Sequence, residues 1–211
     1  MKCLFGVALV LAVVPAGAAA QLQFTGAGFA GQQIVQSHAN ATSERLSGFV
    51  LGAEGVLISD RFMVRLRYDE GRVNPRAGSD AEARDVVSGE ALFGVRAASW
   101  LSLWIGPNAR AYTVGESDQR WLVWSARATA RGSLLPGRLQ TFVELGGVFS
   151  GTVGNPTTKA GGRLANGGLE MRLGEGNFWG RLGYRIESMH ADGLRETVEA
   201  VTLSIVYGVP Q

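Results

Sequence analysis

The sequence predicts an all-β chain, an up-and-down antiparallel barrel that spans a membrane with about ten strands, a count of eight also being compatible. Three observations predict it. Segment after segment alternates apolar and polar residues with a period of two. The connections between segments are tight at one end of the fold and longer and more polar at the other. No apolar run beyond the first twenty residues is long enough for a helix to cross a bilayer.

The alternation is clearest at Arg61-Phe-Met-Val-Arg-Leu-Arg-Tyr-Asp69. Arg61, Arg65, Arg67 and Asp69 fall on one parity and Phe62, Val64, Leu66 and Tyr68 on the other. Neighbouring side chains of a strand point to opposite faces, so one face is charged and the other apolar. A helix would scatter these arginines around its circumference.

In chain order, residues 1–20 read as a signal peptide. Lys2 supplies the positive start, Leu4–Val14 the apolar core, and Ala18-Ala19-Ala20 the small residues before a cleavage that leaves Gln21 first. The core is shorter than the roughly 20 residues of a spanning helix. Cys3, the one cysteine, precedes that core, so the exported part (21–211) has no thiol chemistry, disulfide or cysteine metal site. Formal charge is +2 over 211 residues, and no basic cluster carries interleaved aromatics, so a nucleic-acid partner is not expected.

Ten segments follow. The first, about 22–36, is weakly patterned. The second, 47–58, sets Phe49, Leu51 and Leu57 against Val50, Gly52 and Glu54, and the third is the Arg61 stretch. The fourth, 85–97, sets Val87, Phe93 and Val95 against Ser88, Glu90 and Arg96. The fifth, 100–114, sets Leu101, Leu103 and Ile105 against Ser102, Trp104, Asn108 and Arg110, with Pro107 interrupting its donors. The sixth, 120–133, opposes Leu122 and Trp124 to Ser125, Arg127, Thr129 and Arg131, and the seventh, 138–150, opposes Val143, Leu145 and Phe149 to Gln140 and Glu144. The eighth, 163–173, opposes Leu169 and Met171 to Glu170 and Arg172. The ninth, 178–190, opposes Leu182, Tyr184 and Ile186 to Arg181, Arg185 and Glu187. The last, 196–209, opposes Val201, Leu203, Ile205 and Tyr207 to Thr202 and Ser204.

Ser59-Asp60, Ala98-Ser99, Leu135-Pro136-Gly137 and Gly174–Asn177 read as tight turns. Ser37–Arg45, Gly71–Ala83 and Gly151–Gly162 read as long polar loops. A soluble barrel would show the same alternation with its faces reversed. The polar face, however, pairs arginine with glutamate, and Lys2 and Lys159 are the only lysines in the chain. Arginine suits confined, bidentate pairing and lysine an open solvated surface. This places the charges inside and the apolar face toward lipid.

With that choice of faces the interior takes Arg65, Arg67, Arg96, Arg110, Arg127, Arg131, Arg172, Arg181 and Arg185 with Glu54, Asp69, Glu90, Glu144, Glu170 and Glu187. Trp104, Tyr112, Phe142 and Trp179 point the same way. The arginines outnumber the acids in this set, which leaves open a narrow anion-leaning passage as the alternative to a plugged lumen. His190 and Asp192 near the outer rim are the one pair with general-base spacing, and no serine carries a nucleophile motif, so catalysis is not expected. Gly26-Ala-Gly-Phe-Ala-Gly31 fits a dinucleotide fingerprint but lacks the helix and βαβ unit that give it meaning. Asn40-Ala41-Thr42 matches a glycosylation sequon. No metal or cofactor site is expected.

In its signal peptide, alternating strands, Arg/Glu-lined face and final strand near the C-terminus, the chain resembles the small outer-membrane β-barrel proteins of Gram-negative-type bacteria. The resemblance implies residence in that outer membrane, with lipid and the export and barrel-assembly machinery as partners. Such proteins usually end on an aromatic residue, whereas here Tyr207 precedes Gly208-Val-Pro-Gln211. The function expected is structural or surface-interactive, through the outer loops, with no surface ligand identified. A rim-sited enzyme and a soluble periplasmic barrel are weaker alternatives.

Overall fold

A computed structural model describes residues 22–39, 42–75, 77, 81–114, 117–154 and 158–208. The signal-peptide reading of residues 1–20, Cys3, Asn40-Ala41 of the sequon and the last three residues lie outside these.

Ten long strands form the wall: β1 (Gln23–Ala39), β2 (Thr42–Ser59), β3 (Phe62–Pro75), β4 (Arg84–Ala98), β5 (Leu101–Val114), β6 (Ser117–Leu135), β7 (Leu139–Val153), β9 (Gly161–Arg172), β10 (Phe178–Ala191) and β11 (Leu194–Tyr207). The two-residue β8 (Thr158–Lys159) extends the edge of β7. Sequence neighbours pair antiparallel throughout, and β1 meets β11 in register from Gly26↔Tyr207 to Ala39↔Leu194, so the sheet closes on itself. The fold is therefore a closed ten-stranded antiparallel barrel. The weakly patterned first segment is a full strand, which removes the eight-stranded count.

The four tight turns stand where the sequence places them. Asp60, Gly137 and Gly174 take positive φ in three of them, the conformation such hairpins need. Pro107 lies within β5, and the β4–β5 ladder lacks its pairs at Pro107 and Gly106 while keeping the same register on either side. Gly48 permits a close approach of strands: a Cβ there would lie 1.8 Å from the carbonyl oxygen of Arg72.

The long outer loops need correction. Ser37–Ala39 and Thr42–Arg45 are paired strand ends, β3 continues to Pro75, and β7 continues to Val153. These stretches read as loops because their polarity is inverted. On β3, Phe62, Leu66 and Tyr68 face outward and exposed, with Arg65, Arg67 and Asp69 inward. Beyond Asp69 the outward residues are Glu70, Arg72 and Asn74, and the inward Val73 is fully buried. The same inversion occurs on β2, where Phe49 and Leu51 give way to Arg45 and Ser47 outside and Leu46 inside. On β11, Leu203 and Ile205 give way to Thr197 and Arg195 outside and Val198 inside.

Each half follows from its solvent. Lipid accepts only apolar side chains on the outer wall, whereas water favours polar ones there and drives apolar residues into the interior. A strand of 17 or 18 residues, as in β1 and β2, also exceeds the ~9–11 residues that cross a bilayer. The barrel therefore has a lower, lipid-facing band and an upper, water-facing collar. Phe24, Phe62, Phe178 and Tyr207 stand outward near the turn end, and Phe49, Tyr68, Trp124, Phe149 and Tyr184 stand higher on the wall, as aromatic girdles do. A soluble barrel would not expose this apolar band.

The band makes a direct prediction. Leu66→Arg, on the lipid face of β3, is expected to cost about 2–4 kcal/mol of folding stability in vesicles. Asn74→Arg, on the same face of the collar, is expected to be nearly neutral. Urea titration of both variants in phospholipid vesicles measures the difference, and equal costs would place the lipid boundary elsewhere.

Candidate functional site

The interior is the candidate site, because alternation delivers its charges from nearly every strand to one enclosed space. Working from the turn end upward, β2 contributes Glu54, β3 Arg67 and Asp69, β6 Arg131, β9 Glu170 and β10 Arg181. Arg181 bridges Glu54 at 3.0 Å and Glu170 at 2.7 Å, and Arg131 also reaches Glu170. Arg67 lies 3.3 Å from Asp69 and 3.7 Å from Glu54. The guanidinium planes rest on aromatic faces: Arg67 over Phe29 at 4.2 Å, and Arg131 and Arg181 on Phe142 at 5.3 and 5.6 Å.

A second group joins β3, β4, β6 and β7. Glu144 accepts from Arg65 at 2.8 Å, from Arg127 at 3.3 Å and from the Thr129 hydroxyl at 2.7 Å, while Glu90 pairs with Arg65 and Arg127. Trp104 donates its indole N–H to Thr129 at 3.1 Å and carries Arg65 over its ring. A third group stands on β5, β10 and β11. Glu187 holds both Arg110 and Arg185, and Arg110 and the Tyr112 hydroxyl meet Glu196 at 3.4 and 2.9 Å.

Two of the sequence-derived residues stand apart from these groups. Arg172 lies exposed at the β9–β10 turn, donating to the carbonyls of Glu175 and Gly176. It has the inward parity, but it is the last residue of its strand and projects from the barrel's end. Arg96 is partly exposed near the β4–β5 turn, in a vestibule of about 360 Å³ shared with Trp100, Ser102, Arg131 and Gln140.

Glu196 joins the interior, a residue that sequence reasoning missed although its parity matches Thr202 and Ser204. Arg65, Arg67, Arg110, Arg127, Arg131, Arg181 and Arg185 then face Glu54, Asp69, Glu90, Glu144, Glu170, Glu187 and Glu196, seven against seven. The surplus of arginine that would favour anions is absent from these three groups.

Level with and above the uppermost of these charges lies a layer that the sequence analysis did not anticipate. Val35, Leu46, Val50, Val73, Val86, Tyr112, Trp121, Val123, Val153, Met189 and Val198 form one buried apolar cluster, with a member from every long strand except β9. A smaller cluster of Val56, Ile58, Met63, Leu92 and Trp104 lines part of the wall nearer the turns. Two cavities among the described interior side chains measure about 40 and 10 Å³. The first borders Thr129 and Arg131, which also line the turn-end vestibule.

Both histidines are on the outside. His38 and His190 are exposed at the outer rim, each opposite Arg195 in the sheet, and Asp192 is exposed in the turn that follows His190. Among the described residues no cluster of histidine, cysteine or carboxylates is arranged to hold a metal ion.

No protein-family model matches the chain, and no curated protein matches it either. Among solved structures, the COG4313 outer-membrane channel from Pseudomonas putida F1 aligns with a TM-score of 0.52 and 12% identity, over 88% of this chain and 95% of that one. The translocator domain of the autotransporter NalP from Neisseria meningitidis aligns at 0.48 and 11%, over 89% and 88%. Neisserial surface protein A (NspA) aligns at 0.39 and 13%, over 88% and 97%. What the chain shares with the first of these is its fold, that of a closed outer-membrane β-barrel.

Proposed function

We propose that this protein is a structural and surface-interaction barrel of a Gram-negative-type outer membrane, acting through its outer collar and not as a pore. In this reading residues 1–20 export it and are removed near Ala20, the barrel-assembly machinery inserts it, and lipid surrounds the band from Phe62 to Tyr68 and its neighbours. The observation that carries the reading is the buried apolar layer drawn from nine of the ten long strands, which lies on the outer side of three ion-pair groups. An ion entering from the turn end would have to break buried pairs and then cross that dry layer. Breaking such a pair from one side costs about 3–5 kcal/mol.

The test is electrical. Protein refolded and shown to be inserted in a planar bilayer is expected to give no steady current in asymmetric salt. Stable openings would overturn the proposal, and their reversal potential would report which ion passes. No catalytic step is assigned to His190 and Asp192, which stand on the outer wall and its turn, away from the enclosed groups.

A further inference from the structure

The outward face of the collar is uneven. On the β3–β4 side its charges are mixed, Arg72 lying 3.9 Å from Asp85. On the β1–β11–β10 side Arg195 sits between His38 and His190 as the direct cross-strand partner of each. All three side chains are exposed, and none makes an ion pair with a carboxylate of a described residue. They frame a hollow of about 430 Å³ whose floor is Ala191, Gly193 and Leu194. Gly161 leaves room for one wall: a Cβ there would lie 3.0 Å from Nε2 of His190. Arg163 adds a cation on the next strand of the same face, opposite Ser188. Three nitrogen-bearing side chains open on one hollow that Asp192, exposed in the same turn, does not line, and they are complementary to a phosphate oxyanion.

Position narrows the source. Ile186 is the last apolar residue on the outward face of β10, and His190 lies four residues further along the strand. With a rise of about 3.3 Å per residue and a tilt of about 35–45°, the hollow stands about 10 Å above that edge. The headgroup layer of a phospholipid leaflet is only about 5–8 Å deep. The hollow therefore faces whatever saccharide projects beyond the headgroups.

We propose that His38, Arg195 and His190 bind a phosphate-bearing saccharide of an outer-leaflet glycolipid, holding the barrel's collar against the carbohydrate layer around it. This rests on the outer-membrane reading above. The probe is lipopolysaccharide in phosphatidylcholine vesicles containing the refolded protein, and the readout is the glycolipid that copurifies after mild detergent extraction. Retention by the unsubstituted protein is expected to fall about fivefold in Arg195→Ala. It should fall comparably when the saccharide phosphates are first removed, and remain unchanged in Arg72→Ala.

Retention as high as that of the unsubstituted protein in both Arg195→Ala and His38→Ala/His190→Ala would overturn the site, as would complete displacement by inorganic phosphate, which marks a soluble-anion site. Protease protection and gel mobility separate the two levels of failure. An inserted barrel that retains no glycolipid defeats this site alone, whereas a chain that does not insert defeats the outer-membrane reading with it.

Discussion

Glu144→Leu is expected to destabilise the barrel by about 3–5 kcal/mol, among the largest effects a single substitution can have here. Glu144 is 2% exposed and is the shared acceptor of Arg65, Arg127 and Thr129. Removing it leaves two guanidinium groups competing for Glu90 among buried side chains. Arg127→Leu in the same protein removes one of the competitors and leaves Arg65 with Glu90 at 3.4 Å. The double variant is therefore expected to recover much of the loss, because replacing both partners of a buried pair costs far less than replacing one. Urea unfolding in vesicles, followed by tryptophan fluorescence and gel mobility, gives the four corners of the cycle. A double variant no more stable than Glu144→Leu would mean that the charges are individually hydrated and that the lumen is wet.

The residues in that cycle are legible in the sequence, and the reason is specific. Arg65, Arg67, Arg127, Glu144 and Glu170 lie in the part of each strand that lipid surrounds. There the contrast between faces is greatest, and period-two alternation identifies both the strand and the inward side. What is not legible lies where the surroundings change.

Val73, Leu46 and Val198 are inward and apolar because the wall outside them meets water, so the rule that charges face inward fails above Asp69 on β3 and above Glu187 on β10. The same reversal makes Ser37–Arg45 look like a loop, although Ser37–Ala39 and Thr42–Arg45 are paired strand ends. Parity misplaces Arg172 for a different reason: it fixes direction within a ladder but does not say where the ladder stops, and Arg172 is the last residue of β9. Glu196 has the right parity but is overshadowed by the stronger pattern of Val201 to Tyr207. His190 and Arg195 meet across the β10–β11 hairpin, and His38 joins them only through closure of β1 on β11, a register that no local pattern specifies.

Trp121→Ala tests the reversal of polarity itself. Trp121 is 1% exposed in the apolar layer, among Tyr112, Val123 and Val153. Truncating a buried tryptophan costs about 3–5 kcal/mol in a close-packed core. The layer lies inside the collar, with water beyond the wall, so its stabilisation comes from the hydrophobic effect as in a soluble protein. The loss should thus be nearly the same in detergent micelles and in vesicles, whereas the cost of Leu66→Arg should depend on the thickness of the lipid around it. Conductance should remain absent in Trp121→Ala, because the Glu187–Arg110–Glu196 group still spans the bore beneath it. A loss below about 1 kcal/mol would mean that the layer is loosely packed. Current through Trp121→Ala with the charge groups intact would mean instead that the apolar layer is the sole barrier and that the ion pairs part readily.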